Sequence, residues 1–349
     1  MLLPARMIII DKDRVRKRLG LKKIFSIYFI DILISILFFS SCTKNSITID
    51  EWEWVNPEVI RTLRKDNLKV LDIGNSYSDG AASLLPTIVK NTGADVSDIC
   101  LYQLVRGGGS FKNWYDIYNN SDSHSYFFHR VLGGIEVPVP QGEVSPGDGA
   151  LFRRVLSEVN WDIIIIHQVS NYAPYYDLWS THGEGGYLDE LLSVIKSHQP
   201  NAQIGVMIVH SYWDNYSGNK EKSSFIRWQK IAESVSQFQN DYDVHFVIPY
   251  GTAIENLRSS SYNNEYDLTM DGSHCGYGLC QYAAACCYYE SLIAPRVGIS
   301  CYGSSIQLDV SKKQSKYPSV SITKDNVIVA QKAAIQAVKD MFNCIIPDE

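Results

Sequence analysis

The sequence predicts a doubly wound, three-layer α/β/α sandwich with a mainly parallel central sheet, and three observations predict it. Five short runs are almost continuously apolar: KVLDIG (69–74), ICLYQLV (99–105), WDIIIIHQ (161–168), AQIGVMIVH (202–210) and VHFVIPYG (244–251). A strand covered on both faces reads this way, because neither face meets water. Between most of them stand segments of helical period, GALFRRVLSEV (149–159), YLDELLSVIKSH (187–198) and FIRWQKIAESVSQF (225–238), which supply the crossovers that parallel strands require. The chain of 349 residues, 45% hydrophobic, is long and apolar enough to bury such a core.

The N-terminus reads differently. Lys22 and Lys23 precede IFSIYFIDILISILFFSSC, an apolar run that closes on small residues and Cys42. A basic segment, an apolar stretch and a small-residue end form the layout of a secretory signal. FSSC, Phe39 to Cys42, resembles a bacterial lipobox with Phe39 in place of the usual Leu. That resemblance implies that Cys42 is lipidated, becomes the first mature residue, and holds an exported protein to the periplasmic face or the cell surface. Asp31 and a run shorter than the ~20 residues of a spanning helix argue against an uncleaved anchor. The charged preface before Lys22 fits an upstream start codon ahead of Met7. The division that follows is a signal with lipobox over 1–42, a tether over 43–65, and one globular domain over 66–345. RVLGGIEVPVPQGEVSPGDG (130–149) reads as an excursion or hairpin within an insertion over about 120–149. The closing helix is expected over about 323–343, with Thr323 or Ser321 as its cap.

Composition narrows the function. With 32 basic and 38 acidic residues the formal charge is -6, so nothing draws nucleic acid or anionic lipid to the chain as a whole. A neutral or small partner is expected, with the membrane reached through the lipid alone. If Cys42 carries lipid, seven cysteines remain, and an odd number cannot pair fully. Cys286 and Cys287, in YAAACCYYE, read as small core residues. His274, Cys275 and Cys280 lack a second ligand pair at a recognisable spacing, so no metal is expected. RGGGS lacks the lysine and the spacing of a phosphate loop, and no cofactor is expected.

In a parallel sheet of this kind the ligand lies beyond the carboxyl ends of the strands. The stretches that should converge are therefore Gly74 to Ser78, RGGGS (106–110), His167 to Asn171, and His210 to Asp214. A strand-to-helix turn such as GNSYS exposes a hydroxyl and aims free backbone N–H groups at the same place. Asn and Ser are also ordinary helix caps, so the stretch alone is a weak signal. It gains weight from LTMDGSHCGYG (268–278), where Asp271 and His274 stand three residues apart. A carboxylate beside an imidazole fixes its tautomer and supports the imidazolium that forms when the ring takes a proton. Among the other candidates, His210 reads as a satisfied loop histidine, Arg106 as a solvated loop end, and His124 and His129 as ordinary histidines.

These residues resemble the blocks of the SGNH (GDSL-like) hydrolase superfamily. DIGNSYS is similar to the first block, with Asn75 where the usual pattern has Asp; RGGGS to the glycine block; DGSH to the terminal Asp-x-x-His block. The third block is degenerate: Asn171 falls in register, but Val169 replaces its Gly and Tyr172 its last Asp. Gln168 resembles instead the Gln of sialate O-acetylesterase-like and related lipoprotein branches. The resemblance covers roughly residues 66 to 345. It implies Ser76 as nucleophile, His274 as general base and Asp271 as its orienting partner, with Ser78 as the runner-up nucleophile. It implies an oxyanion hole from the backbone N–H of Ser76, that of Gly108 (or its neighbours Gly107 and Gly109), and the side-chain amide of Asn171 or Gln168.

The sequence holds 22 Tyr and 7 Trp, many in NYAPYYDLW (171–179) and HSYWDNY (210–216). Aromatic faces with polar edges suit sugar rings, so Tyr172, Trp179 and Trp213 are candidate substrate contacts. The function expected is a carbohydrate O-acetylesterase acting on acylated glycans through an acyl-enzyme on Ser76. The alternatives are a lipase, thioesterase or arylesterase on the same triad, and a glycan-binding lipoprotein that has lost catalysis.

Overall fold

The computed structural model describes residues 57–345, apart from 243 and 245. The signal segment, Cys42 and most of the tether lie outside the described residues. The tether's last part does not behave as a linker: Pro57–Leu63 forms helix α1, with Val59 and Leu63 buried. Arg296 and Arg64 tie this segment to the domain, donating to the carbonyls of Leu63 and Pro295 respectively.

Seven strands form one sheet in the order β4-β3-β2-β1-β5-β6-β7. They are β1 (Leu68–Gly74), β2 (Ile99–Val105), β3 (Tyr126–Gly133), β4 (Gly142–Val144), β5 (Ile163–Ile166), β6 (Gln203–Met207) and β7 (Phe246–Ile248). The five apolar runs are β1, β2, β5, β6 and β7, and they pair in parallel throughout. Every residue of β2 and β5 is buried, as a strand covered on both faces demands. The insertion is a hairpin: β3 pairs antiparallel with β2, and β4 with β3, which extends the sheet on one side. Its alternating exposure marks a strand with one face in water.

The helices are α2 (Ser76–Ala82), α3 (Leu85–Thr92), α4 (Phe111–Tyr118), α5 (Ala150–Glu158), α6 (Leu188–His198), α7 (Ser224–Tyr242), α8 (Tyr250–Arg258), α9 (Leu279–Leu292), α10 (Ala294–Val297) and α11 (Val327–Lys339). The last run of the sequence overreached at its end, because Tyr250 and Gly251 open α8. The closing helix begins later than expected. Asn326 is its N-cap, and Thr323 exchanges hydrogen bonds with Asn326 one turn earlier. α9 is buried on nearly all sides and packs against α2, α3, α8 and α11. This explains its small residues, Ala283 to Cys287. A second group, α4, α5 and α6, packs together around Trp114 and Phe152. The result is the α/β sandwich with a mostly parallel seven-stranded sheet flanked by helices. No described helix is long and apolar enough to cross a membrane.

Register decides where chemistry can sit. Gly74 is level with Val105 on β2, and Ile73 with Ile166 on β5. The loops after these three strands therefore open at one edge of the sheet. The strand order reverses at β1, the topological switch point at which such folds place ligands.

Candidate active site

β1 ends at Gly74 because no larger residue fits. A Cβ there would stand 2.1 Å from His167 Nε2 and 2.4 Å from Ser78 Oγ. The close approach lets the Asn75 N–H donate to His167 Nε2 at 3.3 Å. Burial pulls the His167 imidazole down to about 4, so the ring is neutral; with Nε2 accepting, its hydrogen lies on Nδ1, facing the Gln168 carbonyl at 3.3 Å. Asn75, in extended conformation, caps α2: its Oδ1 accepts from the Tyr77 N–H at 3.0 Å. Its Nδ2 donates to the Gly109 carbonyl at 3.0 Å. Ser76 follows as the first helical residue, half-buried. Ser78, by contrast, is fully buried and its hydroxyl donates back to the Asn75 carbonyl at 3.1 Å, so the second serine is spent within the helix.

Ser76 Oγ lies 3.0 Å from His274 Nε2, across 198 residues of chain. His274 Nδ1 lies 2.7 Å from Asp271 Oδ2. A carboxylate only accepts, so Nδ1 carries the hydrogen and Nε2 is left as the acceptor for the serine hydroxyl. The other oxygen of Asp271 accepts from the N–H groups of Ser273 and His274, each at 2.8 Å, and from Ser273 Oγ at 3.0 Å. Burial pushes the Asp271 carboxyl up, but hydrogen bonds from His274 and Ser273 outweigh it and hold the group well below the usual carboxylate range. Asp271 is thus ionised at neutral pH.

The glycine stretch is fastened to the same turn. Arg106 N–H and Trp114 Nε1–H both donate to the Gly74 carbonyl, each at 3.2 Å, and Gly109 N–H closes the loop onto the Arg106 carbonyl at 2.9 Å. Gly108 adopts φ +63°, a left-handed conformation that a glycine takes without strain. Neither the Ser76 N–H nor the Gly108 N–H meets an acceptor among the described residues. Arg106 is not the solvated loop end expected from sequence. It is buried in an ion pair with Asp122 at 3.2 Å, with Nη2 also 3.0 Å from His124 Nδ1.

After β5 the two amide candidates part. Gln168 is buried, with Nε2 donating to the Gly185 carbonyl at 2.8 Å and Oε1 accepting from the Val169 N–H at 2.9 Å. Both ends of that amide hold the loop. Asn171 is exposed, and its Oδ1 accepts from Tyr212 Oη at 2.7 Å, which leaves the amide nitrogen without an acceptor among the described residues. Tyr212 is itself fixed: its hydroxyl is 2.6 Å from Ser170 Oγ, and the Arg227 guanidinium lies 4.1 Å from its ring centre.

The aromatic candidates also divide. Trp179 is 1% exposed, packed edge-on against Phe111, Tyr176 and Phe238, with its indole N–H on the Tyr172 carbonyl. It is a core residue, and the reading of it as a substrate contact is corrected. Tyr172 is half-buried against Gly185. Trp213 is half-buried beside Tyr266 and Tyr317, which stack on each other at 4.3 Å. Its N–H donates to the Gly272 carbonyl, and Tyr317 N–H to that of Met270, so this group borders the Asp271–His274 turn. Sequence reasoning placed His167, Tyr77 and Tyr212 in converging stretches but gave none of them a role. A histidine directly after an all-isoleucine strand was the one available hint.

Among the described residues no cluster of His, Cys, Asp and Glu could hold a metal, and all seven described cysteines are free.

No curated protein matches the chain. Among solved structures, a DUF4886 family protein from Bacteroides uniformis ATCC 8492 is similar at TM-score 0.60 and 22% identity, covering 80% of this chain and 97% of that one. A protein from Parabacteroides merdae ATCC 43184, provisionally called a GDSL-like lipase, is similar at TM-score 0.40 and 12% identity, covering 65% and 96%. The family described as a domain of unknown function (DUF4886) matches residues 69–324, from β1 past the Asp271–His274 turn. That is more than half of the sequence, and the chain belongs to the DUF4886 family.

Proposed function

We propose that the protein is a serine ester hydrolase whose nucleophile is Ser76. The observation that carries this reading is the unbroken chain Ser76 Oγ, His274 Nε2, His274 Nδ1, Asp271 Oδ2, with links of 3.0 and 2.7 Å. As Ser76 Oγ attacks an ester carbonyl, its proton passes to His274 Nε2, and the ionised Asp271 stabilises the imidazolium. The proton then goes to the leaving alcohol and leaves an acyl group on Ser76. Water, deprotonated by the same imidazole, releases the acid. The negative charge that develops on the carbonyl oxygen is met, in this reading, by the Ser76 and Gly108 N–H groups and the Asn171 amide nitrogen, none of which meets an acceptor among the described residues; losing one such donor costs about 10²- to 10³-fold in turnover.

The substrate proposed is an O-acetylated glycan. Support comes from Trp213 with Tyr266 and Tyr317, whose half-buried rings border the Asp271–His274 turn and offer faces on which a sugar ring can stack. The proposal extends to export and to anchoring through a lipid on Cys42. A lipase, thioesterase or arylesterase would share the triad and differ in acyl or alcohol preference.

The test is hydrolysis of p-nitrophenyl acetate and butyrate by the protein, Ser76→Ala and Ser78→Ala, with fluorophosphonate labelling alongside. The expected outcome is turnover and labelling that vanish in Ser76→Ala and persist in Ser78→Ala, with acetate favoured. A wild type that neither hydrolyses nor labels would overturn the hydrolase reading and favour glycan binding without catalysis.

A further inference from the structure

Ser273 stands between Asp271 and His274, and its carbonyl oxygen receives two hydrogen bonds from buried side chains of other elements. Tyr77 Oη donates to it at 2.5 Å and His210 Nε2 at 2.8 Å. A carbonyl oxygen has two lone pairs, and both are used. Each donor is held in its donating form. Burial keeps the Tyr77 phenol well above its ordinary value, so its proton stays on. Burial, and then the charge of Arg258, keep His210 well below its ordinary value, so the ring is neutral with a single N–H. Tyr250 Oη, also buried and protonated, is 3.0 Å from His210 Nδ1. It donates there, and the imidazole hydrogen is left on Nε2, facing Ser273.

The two donors also brace each other and the base. The rings of Tyr77 and His210 stack at 4.3 Å, and Tyr77 meets the His274 ring edge-on at 5.5 Å. The need for such a brace is plain from exposure: the Asp271 and His274 side chains are 37% and 36% exposed. Tyr77 is the residue directly after Ser76. One residue thus belongs to the nucleophile's turn and grips the turn that carries the base.

We propose that Tyr77 and His210 are positioning residues that set the Ser76–His274 separation through the Ser273 carbonyl. The proposal rests on the Ser76 hydrolase reading above. Misplacing a base by about 1 Å is enough to slow a reaction by about 10²-fold. Tyr77→Phe keeps the ring and its stack and removes only the hydroxyl, and His210 still holds the carbonyl. The expected result with p-nitrophenyl acetate is a fall in kcat of about 10-fold or more, with KM within about twofold. In a His274→Ala background the same substitution should change the residual rate by less than about twofold, because the group it positions is gone. Tyr250→Phe, which touches neither Ser273 nor the triad, frees the His210 tautomer and should lower kcat in the same direction; it serves also if Tyr77→Phe does not fold. Tyr289→Phe, another buried hydroxyl deletion, whose partners are Thr92 and the Ile299 carbonyl, controls for general loosening and should keep wild-type kcat. Wild-type kcat in both Tyr77→Phe and Tyr250→Phe, or a Tyr77→Phe loss that persists in full without His274, would overturn the positioning role while Ser76→Ala and His274→Ala remain inactive. Full activity in Ser76→Ala and His274→Ala would overturn the hydrolase reading itself, and the positioning role with it.

Discussion

Asn75 carries a donor as well as an acceptor, which an aspartate would not, and both are in use. Its oxygen caps α2 and its nitrogen holds the Gly109 carbonyl. A carboxylate could do the first and would repel the second. Asparagine at this position is therefore a side-chain link between the turn that carries Ser76 and the glycine loop. Asp72, four residues before Ser76 on β1, poses the opposite problem. It is fully buried; burial is the largest influence and pushes its carboxyl from 3.8 up to about 6, against hydrogen bonds from Tyr288 and Gln103. Its Oδ1 has no partner among the described residues. A folded-state value raised above the unfolded one means stability that is complete below about pH 4 and lost as pH rises through about 6. At neutral pH the cost is on the order of 3 kcal/mol. Asp72→Asn, which removes the charge and keeps the acceptor, should raise the urea unfolding free energy over wild type more at about pH 7.5 than at about pH 5. A pH-independent difference would contradict this account. At this scale the sequence disclosed Ser76, Asp271 and His274, because turn position and spacing are written along the chain. It read His210 as a satisfied histidine, as its two bonded ring nitrogens are, but gave no role to Tyr77 or His167, whose partners are supplied by distant elements and whose residue types occur anywhere in a core.

Elements show the same division. The strands β1 and β2 matched their apolar runs because continuous burial leaves a continuous signal. β5, β6 and β7 proved shorter than their runs, since the apolar residues beyond the last ladder pairing belong to loops and to α8, whose burial gives them no less reason to be apolar. α11 started later than its candidate caps because Thr323 and Asn326 bond to each other before the helix begins. The β1–α2 junction allows the sharpest test of an element. Gly74→Ala puts a methyl group where His167 Nε2 and Ser78 Oγ already stand, and overpacking of this kind costs about 1–3 kcal/mol or more. Gly107→Ala meets open space at an ordinary φ. Thermal melts should show Gly74→Ala well below wild type with esterase activity largely lost, and Gly107→Ala close to wild type. Equal melting of the two variants would show that the turn has slack that the geometry denies.

For the whole molecule, burial of the thiols gives a measure of cooperativity. Six of the seven described cysteines are buried, and Cys344 alone is half-exposed. Burial pushes Cys100 and Cys344 up to about 11 and holds the Cys275, Cys287 and Cys301 thiols well above their ordinary value, so few thiolates exist in the folded protein. A disulfide-exchange reagent should therefore titrate about one of these seven thiols in native buffer, and the other six together as denaturant unfolds the sandwich. Three or more reacting in native buffer would show that the buried core opens locally. That the sandwich itself was legible follows from α9 and β5: small and β-branched residues without polar relief have no place except inside. The antiparallel pair of β3 and β4 was legible as an excursion or hairpin without strand bounds, because strands with one wet face leave a fainter pattern.

The 198 residues that separate Ser76 from His274 along the chain also order events in time. Synthesis delivers the nucleophile's turn early and its base only after β7 and α8 have been made. No nascent chain that stops short of His274 holds the contact. Its closure waits on long-range pairing, the slow part of folding in a sheet of this kind. Assembly of the Ser76–His274 pair is thus deferred by connectivity until the later strands and helices have been made.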